Sequence, residues 1–228
     1  MGIRKYLGLK ERDVSPKRPP FWNDHSFSQL QQDRWVLEEL AGKCGGFFVE
    51  IGAFDGKDLS NTYLLESEYG WDGILAEPNP LLAEGIRLLR KAALCTEPVD
   101  AVTGRLVTMR FLVDRPDLSS ISDYAFIDQH ADARRKESVE VIQKTISLND
   151  LLAAYNAPND IDFISIDTEG NESDILSAFN FDHYDVGLFC IEHNYTDANR
   201  KLDNQLLSQG YERVYRDWSK WDAWYRKS

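Results

Sequence analysis

Long apolar runs are missing from this 228-residue chain. None approaches the roughly 18 consecutive apolar residues that a membrane-spanning helix needs, so no span is expected. Cysteine is scarce: Cys44, Cys95 and Cys190 are the three in the sequence. An odd number without C-x-x-C spacing argues against a disulfide framework and a thiolate zinc site, and fits a reducing cytoplasm. The start, MGIRKYLGLKER, lacks the apolar stretch of a secretory signal. Tyr6 stands where a myristoylation signal wants Ser or Thr. Positive charge is short too. Against 26 Lys and Arg there are 38 Asp and Glu, a net charge of −12, which disfavours a nucleic-acid-binding surface. From Thr145 to Asn199 there is no Lys or Arg, while the same stretch holds 11 acidic residues. A solvated acidic face accounts for most of them. A few facing a cationic ligand would account for the imbalance equally well.

What is present reads as a folded chain: 43% hydrophobic and 12% aromatic residues are enough for a large core. Residues 1–22 carry Arg4, Lys5, Lys10, Arg12, Lys17 and Arg18 and end in Pro19-Pro20. They are expected to form a basic arm ahead of a single domain over residues 23–228. Ser26 to Leu40 reads as a capped helix, with Leu30, Val36, Leu37 and Leu40 on one face. Short apolar strands then alternate with helices. Strands are expected over residues 46–53, 73–77, 93–99, 106–113, 139–147, 161–167 and 186–192. The helices are expected over 60–69, 81–91, 148–155, 171–179 and 199–209, and a closing strand pair in the tail. Residues 114–135 are polar and irregular. This alternation predicts an α/β fold, a mostly parallel sheet covered by helices on both faces, with ligands held at the carboxyl ends of the strands.

The first strand runs into Glu50-Ile51-Gly52-Ala53-Phe54-Asp55-Gly56. Gly52 and Gly56 allow a tight turn and close backbone approach to a ligand. A nicotinamide-dinucleotide fingerprint would have its first glycine where Glu50 sits. A pyrophosphate would be repelled by Glu50 and Asp55, whereas S-adenosylmethionine carries a sulfonium and an ammonium and no phosphate. Glu77 closes the second strand, where an acid can hold ribose hydroxyls, beside the turn Pro78-Asn79-Pro80. Asp167 closes a later strand. Glu169 and Glu172 follow it, and each also suits a helix N-terminus as a simple dipole match. Glu192-His193 ends the next strand, and His193 is a candidate general base with Asp167 orienting it. Asp167, Glu192 and His193 together are a candidate ligand set for Mg²⁺ or a similar divalent ion. Trp22, Tyr124, Phe126, Trp218 and Trp221 are loop aromatics that either stack on a sugar face or belong to the core.

These residues carry a resemblance. Ser28-Gln29 with Gln32-Asp33, FFVEIGAFDGKDLSNTYLLE, GWDGILAEPNP and IDFISIDTEGNESDIL, in that order over about residues 28–227, resemble the FkbM family of S-adenosylmethionine-dependent methyltransferases. The resemblance implies a class I methyltransferase, a Rossmann-like three-layer sandwich with a seven-stranded sheet whose last strand is antiparallel. It implies O-methylation of a small-molecule or carbohydrate hydroxyl. The cofactor-binding set is then Glu50, Gly52, Ala53, Asp55, Gly56, Ser60, Asn61, Glu77, Pro78 and Asp167. Within it Glu50, Gly52 and Gly56 would line the methionine portion. Two rivals stand beside this reading: a binding module that keeps the fold without catalysis, and an NAD-linked dehydrogenase, which Glu50 disfavours.

Overall fold

The computed structural model describes residues 19–125, 132 and 137–228. Residues 1–18 of the basic arm, Phe126 and His130 lie outside the described residues. Seven strands make the main sheet: β1 (Phe47–Ile51), β2 (Asp72–Ala76), β3 (Ala93–Cys95), β9 (Asp160–Ile166), β10 (Asp185–Glu192), β11 (Tyr211–Val214) and β12 (Asp222–Lys227). Their order is β11-β12-β10-β9-β1-β2-β3. All neighbours pair in parallel except β12, which is antiparallel to both β10 and β11. This is the class I methyltransferase arrangement, with the last strand reversed.

The strands are buried on both sides, and their two-residue alternation sorts side chains between two helical layers. Phe48, Leu75, Phe163, Leu188 and Trp224 pack with α1 (Gln32–Glu39), α2 (Tyr63–Tyr69) and α3 (Ala83–Leu89) through Trp35, Val36, Leu64, Leu65 and Ile86. Val49, Ile51, Ile74, Ile164, Ile166, Phe189 and Ile191 pack with α4 (Leu148–Ala154), α5 (Glu172–Ser177) and α6 (Ala198–Ser208). Trp35 stacks on Trp224 at 5.0 Å and closes the first layer. Among the described residues no helix is long and apolar enough to cross a membrane.

Between β3 and α4 the chain departs from simple alternation. The strand expected over residues 93–99 ends at Cys95, and Pro98, which has no N–H to continue a ladder, lies between it and the next strand. After it β4 (Val99–Asp100) pairs in parallel with β8 (Ile146–Ser147). The strand expected over 139–147 breaks at Thr145. Its hydroxyl donates to the Val102 carbonyl at 2.6 Å and accepts from the Arg105 N–H at 3.0 Å. β5 (Leu106–Leu112), β6 (Ser120–Ile121) and β7 (Ser138–Lys144) form a separate antiparallel sheet. Val107, Met109, Phe111 and Ile121 give it its own small core. The first helix is also shorter than expected. Gln31 turns left-handed at φ 69°, and the Asp33 carboxylate takes the Ser26 hydroxyl at 2.6 Å and the Phe27 N–H at 2.9 Å, holding residues 26–28 outside the helix.

Candidate active site

A cavity of about 420 Å³ opens at the carboxyl ends of β1, β2, β9 and β10, within the range of small-molecule sites. Its β1–β2 half is built by a turn whose donors are already used. Gly52 sits at φ 87°, and a Cβ there would lie 1.8 Å from the Asp167 carbonyl oxygen, so no other residue fits. The N–H groups of Gly52 and Ala53 both donate to the Ala76 carbonyl, at 2.9 and 3.2 Å, and Gly56 N–H donates to Ala53 at 2.8 Å. Phe54, at φ 48°, donates its N–H to Glu77 Oε2 at 2.9 Å. Asn79 N–H donates to Glu77 Oε1 at 2.8 Å. Each Glu77 oxygen therefore takes one backbone bond and keeps further acceptor capacity. Burial raises the Glu77 carboxyl to about 7, against the pull of those two bonds.

Glu50 lies behind this turn. Strand alternation sends its side chain to the same layer as Phe48, where it is buried. Its oxygens accept from Ser60 Oγ at 2.9 Å, Asn61 N–H at 2.7 Å and Thr62 Oγ1 at 2.5 Å. Arg90, equally buried, approaches to 3.8 Å. The guanidinium also donates to Glu66 at 2.8 Å, the Gly56 carbonyl at 2.8 Å and Thr62 Oγ1 at 2.9 Å. Burial raises the Glu50 carboxyl, with Arg90 and these donors opposing. The network fixes residues 60–62, so that Ser60 and Asn61 reach the cavity wall and Ser60 Oγ accepts the N–H groups of Thr62 and Tyr63 at the start of α2.

The β9–β10 half is acidic. Asp167, Glu169 and Glu192 bring one carboxylate oxygen each within 4.8 Å of one another. Glu192 is buried, and its Oε2 has no hydrogen-bond partner among the described residues. Burial, then the charges of Asp167, Glu169, Glu172 and Asp222, push its carboxyl well above the usual range. Glu172 is turned away from the cavity: it accepts from Thr168 N–H (3.0 Å), Thr168 Oγ1 (3.1 Å) and Gly170 N–H (2.9 Å), which shapes the loop carrying Glu169 at φ 65°. Asp222 faces Glu192 across the β10–β12 register. Gln32 donates to it at 2.7 Å and Cys190 at 3.4 Å. Burial raises Asp222 to about 6. Arg115, Lys220 and Trp221 complete this end of the wall.

The sequence matches the family described as the methyltransferase FkbM domain over residues 50–213, more than half of the chain. The chain belongs to the FkbM methyltransferase family. No curated protein matches it significantly. Solved structures similar to it include a precorrin-6y methyltransferase from Geobacter metallireducens GS-15, at 13% identity over 92% of this chain and 95% of that one, with a TM-score of 0.47. Another is a methyltransferase from Pyrococcus furiosus, at 12% identity over 84% of this chain and 79% of that one, with a TM-score of 0.39.

In this FkbM chain the expected site residues separate into two groups. Gly52, Ala53, Ser60, Asn61, Glu77, Pro78, Asp167 and Glu192 line the cavity. Glu50, Asp55, Gly56 and His193 do not. Glu50 is spent on the 60–62 loop and Arg90. Asp55 Oδ1 accepts the N–H groups of Lys57 and Asp58, both at 2.8 Å, and is a turn residue. Gly56, at φ 84°, faces Ile86 and Arg90. His193 is buried with both ring nitrogens engaged. Nδ1 accepts the Tyr195 N–H at 3.0 Å, and Nε2 lies 3.1 Å from the Asp222 carbonyl and 3.2 Å from Arg213 Nη2. Burial and Arg213 lower its pKa to about 4. With both nitrogens engaged and no place in the cavity wall, the imidazole is not positioned against a ligand held there. His193 is also not among the convergent carboxylates, where Glu169 takes its place. Of the loop aromatics, Trp221 lines the cavity. Trp22 packs against Trp218 at 5.6 Å, and Tyr124 donates to Asp174 at 3.1 Å. Gln32 and Asp222 pair across 190 residues, a contact that no local pattern announces. Of the two, Gln32 alone had a visible sign, the motif Gln32-Asp33.

Proposed function

We propose that this chain is an S-adenosylmethionine-dependent methyltransferase acting on a hydroxyl of a small molecule or sugar. One observation carries the choice of cofactor. A dinucleotide pyrophosphate is held by free N–H groups at the turn after the first strand. Here the N–H groups of Gly52, Ala53, Phe54, Gly56 and Asn61 are all donated internally, and the charged side chains that line the cavity beside the turn, Asp58, Glu77 and Asp167, are carboxylates, while Arg90 and Lys57 are not in its wall. A phosphate-free, positively charged cofactor suits that lining.

The donor set fits such a cofactor. Glu77, with one acceptor site free on each oxygen, is placed for the two ribose hydroxyls. Gly52 lets the ends of β1 and β9 close against each other at the Asp167 carbonyl, which brings both into one cavity wall. Pro78, Pro98 and Val99 supply an apolar wall for a flat ring. S-adenosylmethionine, held by Glu77 and the Gly52 turn, would supply an electrophilic methyl group to an acceptor oxygen, with the bonding pair left on sulfur. The hydroxyl proton passes to the acidic end of the cavity, where Asp167 is the most exposed carboxylate of its cluster. Gln32 and Asp222 orient the acceptor through polar contacts at the same end. The three free thiols suit a reducing cytoplasm.

Calorimetric titration tests this reading. S-adenosylmethionine is expected to bind one per chain and NAD not at all. Tight NAD binding with no uptake of S-adenosylmethionine would refute it.

A further inference from the structure

We infer that Leu118 and Ile121 are specificity-determining residues that hold an apolar face of the methyl acceptor beside its reacting hydroxyl, so that the acceptor is an amphipathic alcohol or phenol rather than a free sugar. Its being a methyl acceptor rests on the proposed function. Leu118 ends a short 3₁₀ turn (Pro116–Leu118), and Ile121 lies in β6. Both belong to the segment between β3 and α4 that stands apart from the main sheet.

Tethers fix which strand of the small sheet covers which end of the cavity. In the order β6-β5-β7 the two outer strands lie on opposite sides of β5. On one side Gln143 of β7 donates from Nε2 to the Pro78 carbonyl at 2.9 Å, next to Glu77, the acid proposed for the ribose. On the other side the chain just after β6 is held by Tyr124, which donates to Asp174 at 3.1 Å. Asp174 stands in the first turn of α5, directly after the loop that carries Asp167 and Glu169. Arg115, paired with Asp117, also feels the charge of Glu169. β6 and the turn before it therefore overhang the acidic end, where the acceptor hydroxyl is proposed to sit, and β7 overhangs the cofactor end.

The side chains facing the cavity from this overhang are apolar. Leu118, Ile121 and Met109, which pairs with Ile121 across the β5–β6 ladder, line the wall and are each no more than 5% exposed. Ile121 and Met109 also serve the core of the small sheet. Leu118 does not: among the described residues it belongs to none of the hydrophobic clusters, so its burial is turned to the cavity. Carboxylates lie below and hydrocarbon above, which matches a hydroxyl at the border of an apolar body. A sugar carries hydroxyls around its whole rim. Those turned toward Leu118 and Ile121 would lose water and gain no partner.

The test is calorimetric titration of the full chain, saturated with S-adenosylhomocysteine, with two probes, naphthol and methyl glucoside. Naphthol is expected to bind one per chain and the glucoside not measurably. Leu118→Asn should weaken naphthol about tenfold, the scale of discrimination in an apolar pocket, and leave S-adenosylhomocysteine within about twofold. Leu118→Ala, which adds no polar atom, should weaken naphthol in the same direction and carries the comparison if the Asn variant does not melt cooperatively. Leu88→Asn, at an 84% exposed leucine on α3, should change neither ligand. The inference is overturned by glucoside binding as tight as that of naphthol, by neither probe binding to the S-adenosylhomocysteine complex, or by naphthol binding that the Leu118 variants leave intact. It is also overturned by variants that weaken S-adenosylhomocysteine as much as naphthol, which would give Leu118 to the cofactor. Leu118-dependent naphthol binding by a protein that ignores S-adenosylhomocysteine and S-adenosylmethionine would uphold the apolar wall and refute the proposed function instead.

Discussion

Replacing Glu50 by Ala distinguishes a buried structural acid from a cofactor ligand. In the structure Glu50 accepts three hydrogen bonds and faces Arg90, whose side chain is 1% exposed. Alanine removes the acceptor of Ser60 Oγ, Asn61 N–H and Thr62 Oγ1. It also takes the Glu50 charge away from a buried guanidinium. Breaking a buried pair on one side costs about 3–5 kcal/mol. Arg90 keeps Glu66, so the lower end of that range, about 3 kcal/mol, is expected. For a chain of this size that is roughly 6–12 °C in Tm. Urea denaturation and a melting curve measure it. Glu50→Gln should lose less, because an amide oxygen still accepts from residues 60–62. Any loss of S-adenosylmethionine affinity in these variants should follow the disordering of that loop. A Glu50→Ala protein with stability within about 0.5 kcal/mol of the parent but a tenfold weaker cofactor complex would refute the reasoning and put Glu50 in direct contact with ligand.

Gly52→Ala should destabilise the chain by several kcal/mol or prevent folding. Its Cβ would fall 1.8 Å from a backbone oxygen at φ 87°, and expression yield and melting temperature check this. Glu77→Gln should weaken S-adenosylmethionine about tenfold to a hundredfold in calorimetry, the worth of charged hydrogen bonds of about 1.5–3 kcal/mol. The Glu77 carboxyl is raised to about 7 when folded. Its contribution to stability is therefore present below its unfolded pKa and lost as pH rises through about 7. Cofactor affinity should run the other way, rising from pH 6 to 8 as the carboxylate forms, and Glu77→Gln should flatten both trends. His193, lowered to about 4, contributes stability that is lost as pH falls from about 6.5 toward 4. Its ring should show no protonation step near pH 6.5 by NMR, and a step there would contradict the geometry described for it.

The parallel core was legible because doubly covered strands such as FFVEI and IDFISI are nearly continuous apolar runs. Element ends were less so, since side chains compete for backbone there. Asp33 and Thr145 each divert N–H or carbonyl groups that a pattern of apolar residues does not register. The small antiparallel sheet was seen as extra strands, but its separation from the main sheet depends on pairings between residues some 30 positions apart. At the site, Gly52, Glu77 and Asp167 could be placed because a turn glycine and strand-terminal acids have one plausible direction to face. Glu50 and His193 could not. Each is polar and sits at a strand end, yet one turns into the α1–α3 layer and the other into the Arg213–Asp222 contact. Asp222 reaches the cavity only through the antiparallel register of β12 with β10, a long-range fact with no local signature.

The most direct measurement is a crystal structure of the chain with S-adenosylhomocysteine. The account predicts both ribose hydroxyls on the Glu77 carboxylate, the amino-acid portion over Gly52 and Ala53, and the thioether sulfur turned toward Asp167. Density for the compound outside this cavity, or ribose held by other residues with Glu77 still bonded only to Phe54 and Asn79, would contradict it.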